Sequence, residues 1–336
     1  MNPDGFLADL ERKPEVLSRL ADHLVADDPW NAVPVDLAHD VDQVLLLGMG
    51  SSTYAASVVA ARLRRRGVFA AAELASSLDL PDPHPRMLVV AVSASGASSE
   101  TLAAARRYAG VSPLVGLVNV AGSPLSALCD ATVDLAAEVE TGGVASRSFQ
   151  HTLVLLLALL DRADGGGEAA APGSSALLTT TVRRAAEASA DLLDRRDEWL
   201  PRVTESLAGA DGTYVVAPAH RFSSAAQSAL MLREGPRRRA VACETGDWSH
   251  VDVYLTKTLD YRMLLLPGSP GEDELLRWTG ERGSTVVVAG PSPRPVGEGV
   301  ALEVRYRHDT DDEVRLLAEV LVAELVAHRL WAGAGS

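Results

Sequence analysis

Two short segments gather hydroxyl groups and glycines at a density that suits the capture of an anion. GMGSST spans residues 48–53 and SASGASSET spans residues 93–101, and each follows an apolar run that reads as a strand. Gly48 and Gly50 lead into Ser51, Ser52 and Thr53, while Ser93, Ser95, Gly96, Ser98, Ser99 and Thr101 make up most of the second segment. Glycine lets the backbone turn sharply and come close to a ligand, hydroxyls donate hydrogen bonds, and the first N–H groups of a following helix point at the same spot. A phosphate is the natural occupant. Helix capping alone would explain a glycine and a serine after a strand, but five hydroxyl residues in nine positions of the second segment exceed what a cap requires. Dinucleotide binding is not expected, because Gly48-Met49-Gly50 is followed by no third glycine at the spacing of that fingerprint. Glu100, inside the first helical turn, reads as a partner of the helix dipole.

The elements that must position these groups follow from the hydropathy pattern. In the first half, VLLLG, MLVVAVS, PLVGLVN and TVDLAAEV alternate with Ala-rich helical stretches, ending in a long helix from about Phe149 to Leu160. Continuous rather than alternating apolar strands imply a parallel sheet covered by helices on both faces. The second half repeats the form: TYVVAPAH answers VLLLGMG, YRMLLLPGSP answers RMLVVAVSAS, STVVVAG answers PLVGLVN and VALEVRYR answers TVDLAAEV, before a final helix from Glu313 to Leu330. Four steps in the same order point to a tandem repeat of one doubly wound α/β module. The expected organisation is an N-terminal helical arm over residues 1–43, a first module over 44–162, a Gly-rich connector and linking helix over 163–208, and a second module over 209–336. The linking helix is expected to be interrupted near Pro201. In such sheets ligands bind beyond the carboxyl ends of the strands, where both hydroxyl-rich segments lie.

Composition narrows the partners. The 336 residues hold 31 Lys plus Arg against 45 Asp plus Glu, a formal charge of -14 that repels a polyanion, so nucleic acid is not expected. Two cysteines without CxxC spacing fit a reducing cytoplasm. The N-terminus lacks the basic start and apolar block of a signal peptide, and no aliphatic run reaches the roughly 20 residues of a membrane span. The histidines show no HExxH or other close ligand spacing, so neither a metal nor any other cofactor is expected. Lys13 and Lys257 are the only lysines, which leaves two candidates for any imine chemistry.

GMGSST followed by SASGASSET, with GGVAS at residues 142–146, resembles the sugar isomerase (SIS) domain family, in particular its tandem members such as the isomerase half of glucosamine-6-phosphate synthase. The resemblance covers about residues 44–330 and implies five-stranded parallel sheets between helices. It implies that Ser52, Ser93, Ser95 and Ser98 hold a phosphate, with Gly50, Ser51, Val144, Ala145 and Ser146 around the sugar. It further implies that Glu234, near the end of a helix, moves a proton between C1 and C2, and that His250, in a loop after the short strand AVAC, helps open the ring. One base beside the carbonyl and one group that shuttles hydroxyl protons are what aldose-ketose interconversion needs.

Other readings of these residues stay open. Glu234 could be a helix-end acid paired with Arg233 or Arg237, His250 could cap a turn or pack on Trp248, and Asp247 or Glu244 could be the base instead. Arg237, Arg238 and Arg239 read as a solvated loop. The sequence also departs from the synthase pattern. Ala94 and Ala97 stand where it has glutamine and glutamate, Gln227 and Met231 where it has an acid and a lysine, and Val251-Asp252 where it has glycine and proline. HRLWAGAGS carries no lysine, and no glutaminase segment is expected before the first strand. The expectation is therefore a phosphosugar isomerase-type enzyme acting on a hexose phosphate or amino-hexose phosphate, with deamination or deglycation as relatives, working as a homodimer. A sugar-phosphate-binding regulatory protein without chemistry is the alternative.

Overall fold

A computed structural model of the protein describes residues 1–33, 35–37, 39–163 and 174–334. The chain divides into two compact units. Val16–Val139 with Arg147–Arg183 make one, and Met1–Glu15, Glu140–Ser146 and Arg184–Ser336 make the other. Helices α1 (Pro3–Glu11) and α2 (Lys13–Ala26) precede the first strand.

The first sheet comprises β1 (Gln43–Gly48), β2 (Phe69–Leu74), β3 (Met87–Val92), β4 (Leu114–Val118) and β5 (Ala131–Asp134), in the order β2-β1-β3-β4-β5. All four pairings are parallel. Every residue of β3 and β4 is buried, the continuous apolar pattern of strands covered on both faces. Helices α3 (Ser51–Arg65), α4 (Ser99–Tyr108) and α5 (Arg147–Ala163) follow β1, β3 and β5. In α3 the spacing of Ala55, Ala56, Val59, Ala60 and Leu63 buries one stripe, while Arg62, Arg64 and Arg65 meet the negative end of the helix dipole. Leu45, Leu47, Val89, Ala91, Ala105, Tyr108 and Leu114 form the centre of the core on one face.

The second sheet comprises β6 (Thr213–Ala217), β7 (Ala240–Glu244), β8 (Arg262–Leu265), β9 (Thr285–Ala289) and β10 (Leu302–Val304), in the order β10-β9-β8-β6-β7. Read from its other edge this is the winding of the first sheet, again wholly parallel. The expected tandem α/β repeat is thus the observed architecture. Helices α6 (Ser174–Asp194) and α7 (Arg196–Leu207) lead into it, and α8 (Phe222–Glu234), α9 (Thr245–Trp248), α10 (Glu272–Glu281), α11 (Asp312–Ala318) and α12 (Val320–Gly333) follow its strands.

Three details differ from the sequence reading. FAAAEL, not anticipated as a strand, forms the edge strand β2. Half of its residues are alanines, and only Ala70 is buried, so it lacks the bulky buried run that marks the inner strands. The long helical stretch breaks at Arg195, and Pro201 lies in the middle of α7, where its missing N–H removes one helical hydrogen bond without ending the helix. The last helix is divided at Glu319, whose fully buried carboxylate pairs with Arg221. The expected Gly-rich connector at residues 163–175 falls largely outside the described residues.

Among the described residues no helix is long and apolar enough to cross a membrane. Cys129 is half-buried and Cys243 buried, neither is in a disulfide, and burial pushes both thiols up to about 12.

Candidate functional site

The first sheet winds outward from β1 to β2 and then crosses back to β3, so its switch point lies between β1 and β3, the place where open α/β sheets bind ligands. Leu47 of β1 pairs with Ala91 of β3, which brings the two hydroxyl-rich loops side by side beyond the carboxyl ends of neighbouring strands. After β1, Gly50 turns the chain with φ 52° and Ser51 and Ser52 open α3. The Ser52 amide is bonded to Met49 O at 3.2 Å.

After β3, the loop is held by its neighbours. Gly96 N donates to Ser93 O at 2.9 Å, Asn119 N to Ala94 O at 2.9 Å, and Leu125 N to Gly96 O at 2.9 Å. Gly96 has φ 62°, and a Cβ there would overlap the Ser123 side chain, so only glycine fits. Ser93 is buried and Ser95 exposed, and the Ser95 hydroxyl accepts from Ala97 N at 3.3 Å. Ser98 is the N-cap of α4. Its hydroxyl accepts from Thr101 N at 3.4 Å and donates to Glu100 Oε2 at 3.0 Å. The Glu100 carboxylate, bonded by its own backbone N–H and by the Ser98 and Ser99 hydroxyls, is held below the usual glutamate range. Ser98 therefore does cap a helix, and with Ser99 and the Glu100 N–H it is engaged by the Glu100 carboxylate, which leaves Ser93 and Ser95, with Ser51 and Ser52 of the neighbouring loop, as the hydroxyls grouped at the switch point.

The loop Glu140–Ser146 belongs to the unit that carries the second sheet, and α1 clamps it. The buried Asp9 carboxylate accepts from Thr141 N at 3.0 Å and Gly142 N at 2.7 Å. Gly142 is required there, since a Cβ would come within 2.5 Å of Phe6 Cα. At the far end of the loop Glu140 Oε1 accepts from Ser146 N at 2.6 Å and from the Ser146 hydroxyl at 3.2 Å. Val144 and Ser146 are buried and Ala145 is half-buried. Gln227 of α8 donates Nε2–H to Ala145 O at 2.8 Å, so the expected sugar loop and α8 are joined directly. Ser224, Gln227, Ser228 and Met231 share one face of α8. Among the described residues the buried Ser224 Oγ, Ser228 Oγ and Gln227 Oε1 have no hydrogen-bond partner. A buried polar atom left so costs about 1–3 kcal/mol, which a water or ligand would relieve. Sequence reasoning passed over Asp9, Ser224 and Ser228. The polar i, i+4 spacing on an otherwise apolar helix was the available signal for the two serines, and nothing marked Asp9.

Glu234 ends α8. Its side chain reaches solvent, yet the surrounding protein desolvates the carboxylate enough to raise its pKa above the usual glutamate value, against the opposing charge of Arg233. His250 lies past β7 in an exposed turn. The turn is anchored by Trp248, which is fully buried and donates Nε1–H to Tyr261 Oη at 2.9 Å, and His250 N donates to Asp247 O at 2.9 Å. Glu244 is occupied as the cap of α9, accepting from Gly246 N at 2.7 Å and Asp247 N at 2.9 Å, whereas Asp247 is exposed. Within the basic run, Arg238 is tied to Gly209 O at 2.7 Å.

The path of the chain separates the acid from the imidazole. From β6 the chain runs back along α8 and then forward along β7, parallel to β6, so Glu234 stands at the amino-terminal edge of the second sheet and His250 at its carboxyl-terminal edge. The five residues of β7 alone span about 16 Å. One copy of the chain does not bring these two side chains together.

Two parallel sheets wound alike, with hydroxyl-rich loops at the first switch point, define a duplicated doubly wound α/β protein. Residues 38–161 match the SIS domain family model. The chain is 25% identical over 320 residues to the glutamine–fructose-6-phosphate aminotransferase [isomerizing] of Aeropyrum pernix, covering 94% of this chain and 52% of that protein. It thus spans about half the length of that relative. The C-terminal domain of glucosamine-fructose-6-phosphate aminotransferase from Francisella tularensis superposes with TM-score 0.76 at 18% identity, over 100% of this chain and 99% of that one. Tagatose-6-phosphate ketose/aldose isomerase from Escherichia coli superposes with TM-score 0.77 at 14% identity, over 99% and 93%. The chain carries two SIS-fold modules in tandem and resembles the isomerase domain of glucosamine-fructose-6-phosphate aminotransferase and related phosphosugar isomerases.

Proposed function

We propose that the protein is a phosphosugar isomerase-type enzyme that moves a proton between adjacent carbons of a hexose phosphate or amino-hexose phosphate. The observation that carries this reading is the pairing of β1 with β3, which sets the loops of Ser52 and of Ser93, Ser95 and Ser98 side by side at the switch point. These serines, with the helix N–H groups behind them, take the phosphate. Gly50, Ser51, Val144, Ala145 and Ser146 are the residues that the SIS resemblance assigns to the sugar. Glu234 takes the proton from the carbon beside the carbonyl and returns it to the neighbouring carbon, and its desolvation suits it to hold a proton transiently. A histidine moves the hydroxyl protons. Because His250 lies across the sheet from Glu234 in its own chain, the site is completed by His250 of a second copy, so the working form is a homodimer.

The likeness to an aminotransferase and to a ketose/aldose isomerase supports the substrate class without choosing among isomerisation, deamination and deglycation. Replacing Glu234 is the test. E234Q should abolish turnover of fructose 6-phosphate and glucosamine 6-phosphate while leaving their binding, measured by calorimetry, unchanged. Equal turnover by E234Q and the parent removes Glu234 as the base, and D247N then examines the acid beside His250. Binding of the sugar phosphates with no turnover by the parent chain assigns the protein to a regulatory, binding-only role.

A further inference from the structure

The two sheets are wound alike, so each has a switch point, and the second, between β6 and β8, is built differently from the first. Leu47 pairs with Ala91 in the first sheet and Val216 pairs with Leu265 in the second, all four on the same face of their cores. Five residues past Leu47 is Ser52, and five past Val216 is Arg221. Seven residues past Ala91 is Ser98, and seven past Leu265 is Glu272. The two positions that carry serines at the first switch point thus carry a base and an acid at the second.

Both are buried and both face inward on the loop after β8. The Glu272 carboxylate accepts from Gly268 N at 2.5 Å and Ser269 N at 2.6 Å, the amides that lead into α10. Arg221 is fully buried, donates to Pro267 O of the same loop, and pairs with Glu319. Arg315 donates to Pro267 O as well, at 2.7 Å. Two adjacent backbone N–H groups in a loop just before a helix, beside two guanidinium groups, resemble the equipment of a phosphate site, although here Arg221 is paired with Glu319 and Asp312 and Arg315 with Asp312. Here a carboxylate of the chain itself sits on the amides.

We propose that the second switch point is a closed anion site whose occupant is the Glu272 carboxylate, so the duplicated fold accepts phosphate at the first switch point alone. The closure by Glu272 goes beyond the proposed activity, and the restriction of phosphate to the first switch point rests on the reading of that point as the phosphate site. With Glu272 in place an incoming phosphate meets a fixed negative charge and finds the Gly268 and Ser269 amides occupied, and with a serine there, as at position 98, those two amides are open to it beside Arg221 and Arg315, which stay paired with Glu319 and Asp312.

The test uses inorganic phosphate, with binding followed by calorimetry, in a chain whose first switch point is disabled by S52A and S95A. That chain should take up no phosphate. Adding E272S should produce one phosphate site per chain, at least about tenfold tighter than the background. E272Q, whose amide oxygen still accepts from the two N–H groups, should remain closed. Phosphate uptake by the S52A/S95A chain itself, or no gain in an E272S chain whose circular dichroism is unchanged, overturns the proposal. If E272S does not stay folded, the S52A/S95A chain decides by itself: phosphate uptake at millimolar concentration overturns the closure and none supports it. Loss of the proposed activity is distinguishable, because a parent chain without phosphate affinity leaves the E272S gain intact.

Discussion

Glu234 and His250 are sixteen residues apart in sequence and stand at opposite edges of the second sheet, with β7 running between them. An enzyme that uses both must take them from different copies. Mixing E234Q with H250A, each inactive alone, should therefore restore activity, because the mixed dimer has one site with both groups intact. With random exchange about a quarter of the parent rate is expected from a twofold-symmetric dimer. A mixture as inactive as its components would show that the two groups do not cooperate across a dimer.

As the proposed base, Glu234 should tie the rate to pH through its raised pKa. The carboxyl must be ionised to accept a proton, so kcat should fall as pH drops through its pKa. That acid limb should lie above the range of an ordinary glutamate. Arg233 opposes the rise, so R233Q should move the limb to still higher pH. A pH-rate profile of the two proteins measures both effects, and an R233Q limb displaced to lower pH would contradict the assignment.

Asp9 is a positioning residue for the loop Glu140–Ser146. D9A removes a charged acceptor from one buried and one part-buried amide, an effect of about 1.5–3 kcal/mol for each hydrogen bond to a charged group. KM for a sugar phosphate should rise by tenfold or more, on the order of 1.4 kcal/mol, while inhibition by inorganic phosphate stays unchanged, since the Asp9 carboxylate holds residues 141 and 142 and not the serine loops. D9N, which keeps one acceptor oxygen, should recover part of the loss. A parallel loss of phosphate inhibition would mean a general structural role.

Lys13 and Glu324 form an ion pair that solvent hardly reaches. Burial pushes the Glu324 pKa up, Lys13 pulls it down, and the nearby Glu140 adds to the rise. K13M leaves a buried carboxylate without its cation and should cost about 3–5 kcal/mol in denaturant unfolding, most of which K13M/E324L should restore. Without Lys13 the native carboxyl holds its proton more tightly than the unfolded one. The K13M deficit should therefore shrink as pH falls. A deficit that grows toward acid pH would indicate a different cause.

The strands and their repetition were legible because MLVVAV, LVGLV and VVVA are buried on both faces and look it in sequence. FAAAEL was not, since an edge strand that is half alanine and buries only Ala70 has no such mark. The serine segments could be read as loops after strands, and placing β2 on the outside makes β1 and β3 neighbours. Glu234 and His250 were visible as residue types, but their separation depends on the direction of β7 through the sheet. The Asp9 clamp joins residues 132 and 133 positions apart, which no local pattern announces.

The two native thiols are shielded and poorly ionised, with burial pushing each up to about 12. A maleimide or spin-label reagent reacts through the thiolate, so at neutral pH it should pass over both. Cysteines introduced at Arg233, at the exposed end of α8, and in the turn after α9 can then be labelled selectively without first removing Cys129 or Cys243. Pairwise distance spectroscopy between such labels offers a direct ruler for the subunit arrangement.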